Sequence, residues 1–106
     1  MITEEKINAI VNIIITQHHP VRIILFGSSA TNNFSPDSDV DIVVVKETDQ
    51  PRLRRGSEIR KSLMGLGVPI DLLVYTAAEY EDEMNTRFSF LSMALKNSRL
   101  LYEKQN

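Results

Sequence analysis

The sequence predicts an α/β (α+β) fold, a small mixed β-sheet of three or four strands flanked by helices. Three observations carry that expectation. Val, Ile and Leu gather into short apolar blocks at 21–26, 40–45 and 68–75, each the length of a buried strand. The stretches before and between the blocks repeat apolar residues at helical spacing. A chain of 106 residues with 42% apolar content is large enough for one core and too small for two, so one domain is expected over 1–106.

Thr3, followed by Glu4 and Glu5, has the chemistry of an N-cap with acids in the first turn. Ile7, Ile10, Val11, Ile14 and Ile15 then share one helix face, and their β-branching weakens helix propensity without obscuring the period. Pro20 disfavours helical geometry at His19 and ends that helix at His18-His19. Val21 to Phe26 reads as a buried strand, Gly27-Ser28-Ser29-Ala30 as a tight strand-to-helix junction, and Asn32, Asn33, Ser35 and Pro36 as a loop. Val40 to Val45 is the second strand, continuously apolar after Asp41, so both its faces need covering. Helix is expected from Pro51 to Leu66, with Ile59, Leu63 and Leu66 on one side and Gly67 at a left-handed cap. Val68 to Tyr75 is the third strand, interrupted by Asp71. Thr76 and Glu79 then have the spacing of a capping box. Met84, Phe88, Leu91 and Leu95 form a further helical stripe, and Leu100 to Tyr102 is either a short edge strand or a packed tail. Nothing in the pattern fixes the order of strands in the sheet.

Composition removes several function classes. Without cysteine there is no disulfide scaffold, cysteine nucleophile or thiolate metal site. No signal-like segment opens the chain and no apolar run approaches the ~20 residues that span a bilayer, so no membrane role and a cytoplasmic location are expected. A net charge of −2, and tyrosines (Tyr75, Tyr80, Tyr102) without a basic background, argue against nucleic acid as a partner. One local basic cluster remains, Arg52, Arg54, Arg55, Arg60 and Lys61, which suits a solvated helix face or a surface for phosphates or an acidic partner. The phosphate-loop pattern of ATPases is missing. An EF-hand beginning at Asp37 fails because Ile42 and Thr48 stand where glycine and glutamate are required. Adjacent His18 and His19 rarely converge on one ion, and their place at a helix end explains them.

The chemistry concentrates in three acids and one turn. Asp39 and Asp41, at i and i+2 on an apolar strand, project from the same face while Val40 turns to the core. Like charges side by side are costly unless a cation or donors compensate them. Asp71 belongs to another strand, and if that strand is a neighbour it supplies a third carboxylate. Such an all-oxygen set suits Mg²⁺ completed by phosphate oxygens, and two ions roughly 4 Å apart clamp the attacking oxygen and the departing pyrophosphate. Gly27 permits close backbone approach to a phosphate, and Ser28 offers an N–H and a hydroxyl at a helix start. Singly, each feature has an ordinary explanation: a strand-entry turn for Asp39 and Asp41, an edge residue paired with arginine for Asp71. The combination, with Gly-Ser closing one strand and Asp-x-Asp opening the next, is far more specific for a metal–nucleotide site.

In Leu25-Phe26-Gly27-Ser28-Ser29-Ala30, Ser38-Asp39-Val40-Asp41-Ile42-Val43-Val44 and Ile70-Asp71-Leu72 the chain resembles the DNA polymerase beta-like nucleotidyltransferase superfamily. Its size resembles the minimal nucleotidyltransferases (MNT), and the resemblance runs from Ile7 to Tyr102. It implies a nucleotidyltransferase fold and an enzyme that transfers a nucleoside monophosphate to a hydroxyl with release of pyrophosphate. In that scheme Gly27 and Ser28 hold the triphosphate, Asp39, Asp41 and Asp71 are the catalytic and metal-binding residues, and Asp71 also helps activate the acceptor. Two Mg²⁺ ions are the implied cofactors and ATP the preferred donor. Many relatives carry arginine after Gly-Ser and again beyond the alanine, where this chain has Ser29 and Thr31-Asn32. Arg22, Arg52, Arg54 and Arg55 are the candidates to compensate.

Members of this size resemble the antitoxin halves of toxin–antitoxin modules, whose partner is an all-helical HEPN toxin and whose acceptor is a tyrosine of that toxin. The implied partner is therefore a HEPN-domain toxin, with a homo-oligomer also open. Phe88, Phe90 and Met93 suit either ordinary core packing or a partner interface. A weakly catalytic antitoxin or interaction module acting by complex formation is the alternative. A small-molecule acceptor is disfavoured because no second domain is expected to hold it.

Overall fold

The structure, a computed structural model, describes residues 3–30 and 39–105. The loop expected around Asn32 to Pro36 lies outside the described residues. The Thr3 hydroxyl accepts the Lys6 N–H (3.2 Å) and starts α1 (Glu4–His18), which ends at a left-handed His19. Strand β1 (Arg22–Phe26) leads into a 3-10 turn at Gly27–Ala30, and β2 (Val40–Val45) follows with the expected bounds. Then come α2 (Ser57–Leu63), β3 (Ile70–Tyr75), α3 (Ala77–Asn85), α4 (Phe90–Ala94) and β4 (Arg99–Glu103). The tail thus resolves as an edge strand, and Thr76 and Glu79 form the capping box that their spacing predicts.

Two expected helices are broken. In place of one helix over Pro51 to Leu66 there is a 3-10 turn at Arg52–Arg54, then α2, then a second 3-10 turn at Met64–Leu66. Before Ile59 this segment offers one large apolar side chain, Leu53, and it is 93% exposed, so no buried stripe holds the first turns in helix. The stripe Met84, Phe88, Leu91, Leu95 also splits. Extended backbone at Thr86 ends α3, and Ser89 caps α4 by accepting the Ser92 N–H. Leu91 and Leu95 enter the core, whereas Phe88 is 69% exposed on a left-handed backbone (φ 65°). Core packing is thereby overturned for Phe88, Phe90 and Met93, which all face outward.

The sheet order is β3-β2-β1-β4, with β2–β3 parallel and the other two pairings antiparallel. Because side chains alternate along a strand, each central strand feeds two cores. Ile23, Leu25, Val40, Ile42, Val44, Leu72 and Val74 pack with Ile7, Ile10 and Ile14 of α1 and Ile59 and Leu63 of α2. Ile24, Phe26, Val43, Val45 and Tyr75 pack on the opposite face with Leu91 and Leu95. Among the described residues, no helix is long and apolar enough to cross a membrane.

The basic cluster has a structural use that the sequence did not reveal. Arg60 Nη2 donates to the Leu72 carbonyl (3.0 Å) and Arg55 Nη1 to the Val74 carbonyl (3.5 Å), both on the outer edge of β3. These guanidinium groups occupy acceptors that would otherwise be open to pairing with another strand. Arg55 is nearly buried and forks onto Glu79, with Nη2 to Oε2 at 3.2 Å, while its Nε reaches the Gln50 carbonyl (2.8 Å). Glu79 Oε1 also accepts the Thr76 N–H (2.9 Å). One carboxylate therefore joins the α3 cap to the segment that covers the edge strand.

The Arg55 hydrogen bond, then the Thr76 N–H, hold the Glu79 pKa at about 2, below the ordinary 4.5. A depressed carboxylate pKa contributes stability that is complete above the unfolded value and lost as pH falls through the folded one. Glu79→Ala should lower stability by about 1–3 kcal/mol at neutral pH. Its deficit in Tm against wild type should shrink between pH 5 and pH 2. A pH series of thermal melts checks this, and a deficit independent of pH would refute the linkage.

Candidate active site

The apolar blocks that build the sheet also bring the acids together. β2 starts at Val40, whose buried side chain faces α1 and α2. Its neighbours Asp39 and Asp41 therefore point to the opposite face, that of Val43 and Val45. On β3, Asp71 shares a face with Leu73 and Tyr75 by the same alternation. The parallel register pairs Asp41 directly with Asp71, and the antiparallel register pairs Asp41 with Phe26 on its other side. Three segments distant in sequence thus meet at one end of the sheet: the beginnings of β2 and β3 and the end of β1.

Gly27 follows Phe26 at φ 72°, a conformation costly for a residue with a side chain. It also lies against the acid site. A Cβ placed there would overlap Asp41 Oδ2 and stand 3.2 Å from Asp41 Cγ. The glycine is thus required by backbone conformation and by the room that the Asp41 carboxylate occupies. Ser28 follows in the same 3-10 turn.

Asp41 is half-buried, whereas Asp39 and Asp71 are exposed. Burial first, then the charges of Asp71 and Asp39, raise the Asp41 pKa above the ordinary carboxylate value. The two charge contributions, secondary to burial, mark three acids sharing one small region. Among the described residues, no three His, Cys, Asp or Glu side chains form a ready-made metal cage. The arrangement is an open acidic shelf. Its chemistry is all oxygen, and hard cations of the Mg²⁺ type are held by one or two carboxylates with substrate phosphates completing the shell. The donor set therefore fits such a cation.

The arginines considered as compensating phosphate ligands are elsewhere. Arg22 begins β1, at the end opposite Gly27, where it pairs with Glu103 (3.6 Å) and lies over the Tyr80 ring (5.3 Å). Arg52 stacks on Tyr75 (4.8 Å), four strand residues or about 13 Å along β3 from Asp71. Arg54 is exposed on the same 3-10 turn, and Arg55 is held by Glu79. His18 is a packed helix-end residue whose Nε2 meets Ser62 Oγ at 2.8 Å, and burial lowers its pKa. Sequence reasoning missed the closeness of Gly27 to Asp41, for which the only sequence signal is a glycine at the end of an otherwise apolar strand.

Residues 7–102 match the family described as nucleotidyltransferase domain. A candidate protein adenylyltransferase of Methanocaldococcus jannaschii is 32% identical over 81 residues, which span 76% of this chain and 77% of that protein. In fold, the chain is similar to a candidate nucleotidyltransferase from Sulfolobus solfataricus, with a TM-score of 0.66, 17% identity, and coverage of 94% of this chain and 79% of that one. It is also similar to a chain in a crystal structure of a toxin–antitoxin with AMP-PNP, with a TM-score of 0.62, 21% identity, and coverage of 98% and 76%.

Two stability measurements examine the shelf without substrate. In chelator-treated buffer at pH 7, Asp41→Asn should raise Tm, because a raised carboxylate pKa makes ionisation a cost to the folded state. The gain should fade as pH falls through the raised pKa of the wild-type acid; a loss at pH 7 would contradict it. Gly27→Ala should lower Tm more in wild type than in an Asp41→Ala background, where the overlapping oxygen is gone. Equal losses in the two backgrounds would leave backbone conformation as the whole reason for the glycine.

Proposed function

The chain belongs to the nucleotidyltransferase domain family, and we propose that it transfers a nucleoside monophosphate, AMP from ATP, to a hydroxyl acceptor with release of pyrophosphate. The observation that carries this reading is the parallel register setting Asp41 beside Asp71, with Gly27 against the Asp41 carboxylate. Asp39, Asp41 and Asp71 would hold divalent ions of the magnesium type. When bound, these neutralise charge on the phosphates and lower the pKa of the acceptor hydroxyl.

The chain's own residues divide the remaining work by position. Gly27 and Ser28 form the turn against which the triphosphate lies, with Gly27 free of a side chain on the side of Asp41. Asp41, half-buried between β1 and β3, is the anchor of the acid set. Asp71, on the outer strand and exposed, is the carboxylate that an incoming hydroxyl meets first. It orients that hydroxyl toward the α-phosphorus. The acceptor oxygen then forms a bond to the α-phosphorus as the bridging bond to the β-phosphate breaks. Pyrophosphate leaves, and the hydroxyl proton passes to Asp71 or to solvent.

A protein acceptor is favoured, a tyrosine hydroxyl on a HEPN-domain toxin partner. Support comes from the relative named as a candidate protein adenylyltransferase and from the fold shared with the toxin–antitoxin structure. One observation favours a second reading, a module that acts by complex formation: Phe88, Phe90 and Met93 are 69%, 59% and 46% exposed. Both readings allow a complex, and only the first requires the acids.

The test incubates the protein with its co-encoded neighbour, Mg²⁺ and each of the four NTPs, and reads the neighbour's intact mass. Stepwise gains of one adenylate with ATP are expected, falling at least about a hundredfold in rate in the Asp39→Asn/Asp41→Asn variant. A stable complex without mass gain would support the binding module instead.

A further inference from the structure

A bound triphosphate brings about four negative charges to a turn that already faces three carboxylates, and residues 27–30 (Gly-Ser-Ser-Ala) contain no cation to receive them. Divalent ions held by the acids meet part of that charge, and the outer phosphates lie beyond them. Five of the seven arginines are committed elsewhere: Arg55 and Arg60 to the β3 edge, Arg22 to Glu103, Arg52 to Tyr75 and Glu79, and Arg99 to Glu4. Arg54 is exposed on the turn beside Arg52, and Arg87 lies over the Phe88 ring.

The last turn of the α4 segment changes that account. After Leu91 and Leu95 dock on the sheet beside Phe26, the chain closes in a 3-10 turn at Leu95–Asn97, and this turn packs next to Gly27–Ala30. Lys96 is the one basic residue of that turn. Lys96 is exposed and lines a cleft of about 500 Å³ whose other described lining residues, Arg87, Ser92 and Met93 among them, come from the end of α3, the link to α4 and α4 itself. Among the described residues it takes part in no ion pair or side-chain hydrogen bond. A lysine on a flexible four-carbon stem is a compact charge that follows a phosphate without the planar geometry arginine demands.

We propose that Lys96 binds the β- and γ-phosphates of a nucleotide seated at Gly27 and Ser28, supplying the cation that the turn itself lacks. This rests on the nucleotidyl-transfer reading and adds to it a residue from an element far along the chain. Buried Leu95 sets the position of Lys96, because its packing beside Phe26 brings the turn to the end of β1. The structural alternative is that Lys96 merely complements the carbonyls at the end of its helical segment. That role is indifferent to nucleotide.

Calorimetric titration of the whole protein in Mg²⁺ with ATP, AMP and inorganic tripolyphosphate separates the two. Lys96→Ala should weaken ATP and tripolyphosphate about tenfold, the size of one lost charge-assisted hydrogen bond. AMP binding should change by less than about twofold, and Lys96→Arg should keep ATP affinity within about threefold of wild type. Arg54→Ala, which removes the same unit of charge from an exposed site on the 3-10 turn at Arg52–Arg54, should leave all three ligands unchanged. If Lys96→Ala matches Arg54→Ala, or weakens AMP as much as ATP, the assignment to the outer phosphates is overturned. If wild type binds neither ATP nor tripolyphosphate, the nucleotide reading falls as well. Wild-type binding that survives Lys96→Ala removes this inference alone.

Discussion

β2 and β3 run parallel with Asp41 opposite Asp71, so two carboxylates stand at the same level of adjacent strands and a third, Asp39, lies two residues before them. Nothing in sheet formation asks for this. A one-residue slip of β3 would send Asp71 into the face filled by α1 and α2 and turn Leu72 and Val74 out of their core, so the apolar alternation of β3 locks the charge pairing in place. The fold accepts the burial of Asp41 and the repulsion from its neighbours, both of which raise its pKa, because the two cores specify the register far more strongly than three partly solvated acids oppose it.

The same register explains why the surrounding elements are built as they are. β1 ends beside Asp41, which forces glycine at position 27 and delivers the 3-10 turn to the rim of the acid shelf. β3 is left as an edge strand, which keeps Asp71 accessible but also exposes backbone acceptors. Arg55 and Arg60 cover those acceptors, and Glu79 fastens Arg55 to the start of α3. The thick helical layer of α1 and α2 lies on the face away from the acids, and the lighter α4 segment covers the face toward them. The acids therefore lie open at one end of the sheet, near the turn at Leu95–Asn97.

Much of this was legible in the sequence, for identifiable reasons. Thr3, Gly67 and the Thr76/Glu79 box announce helix ends by local hydrogen-bond chemistry, and each does so in the structure. β2 was readable to the residue because its apolar run is bounded by acids and a lysine. The proximity of Asp41 and Asp71 was conditional on strand order, a long-range property that local pattern does not encode. Helix continuity failed where spacing alone was followed. Leu53 and Phe88 sit at helical intervals but have no surface to bury against, so α2 starts late and the α3–α4 stripe breaks. The arginines misled for a related reason: sequence shows their charge but not that two of them serve the backbone of β3.

Everything proposed for the molecule turns on Asp39, Asp41 and Asp71, gathered beside Gly27, acting as one cation-binding shelf. Amide spectra of ¹⁵N-labelled protein with substoichiometric Mn²⁺ test it most directly, since a paramagnetic ion broadens only nearby signals. Selective loss of the resonances of Gly27, Val40, Asp41 and Asp71 is expected, reversed by excess Mg²⁺ and absent in Asp39→Asn/Asp41→Asn. Broadening centred on the other end of the sheet, near Glu47 and Glu58, or no site-selective broadening at all, would contradict it.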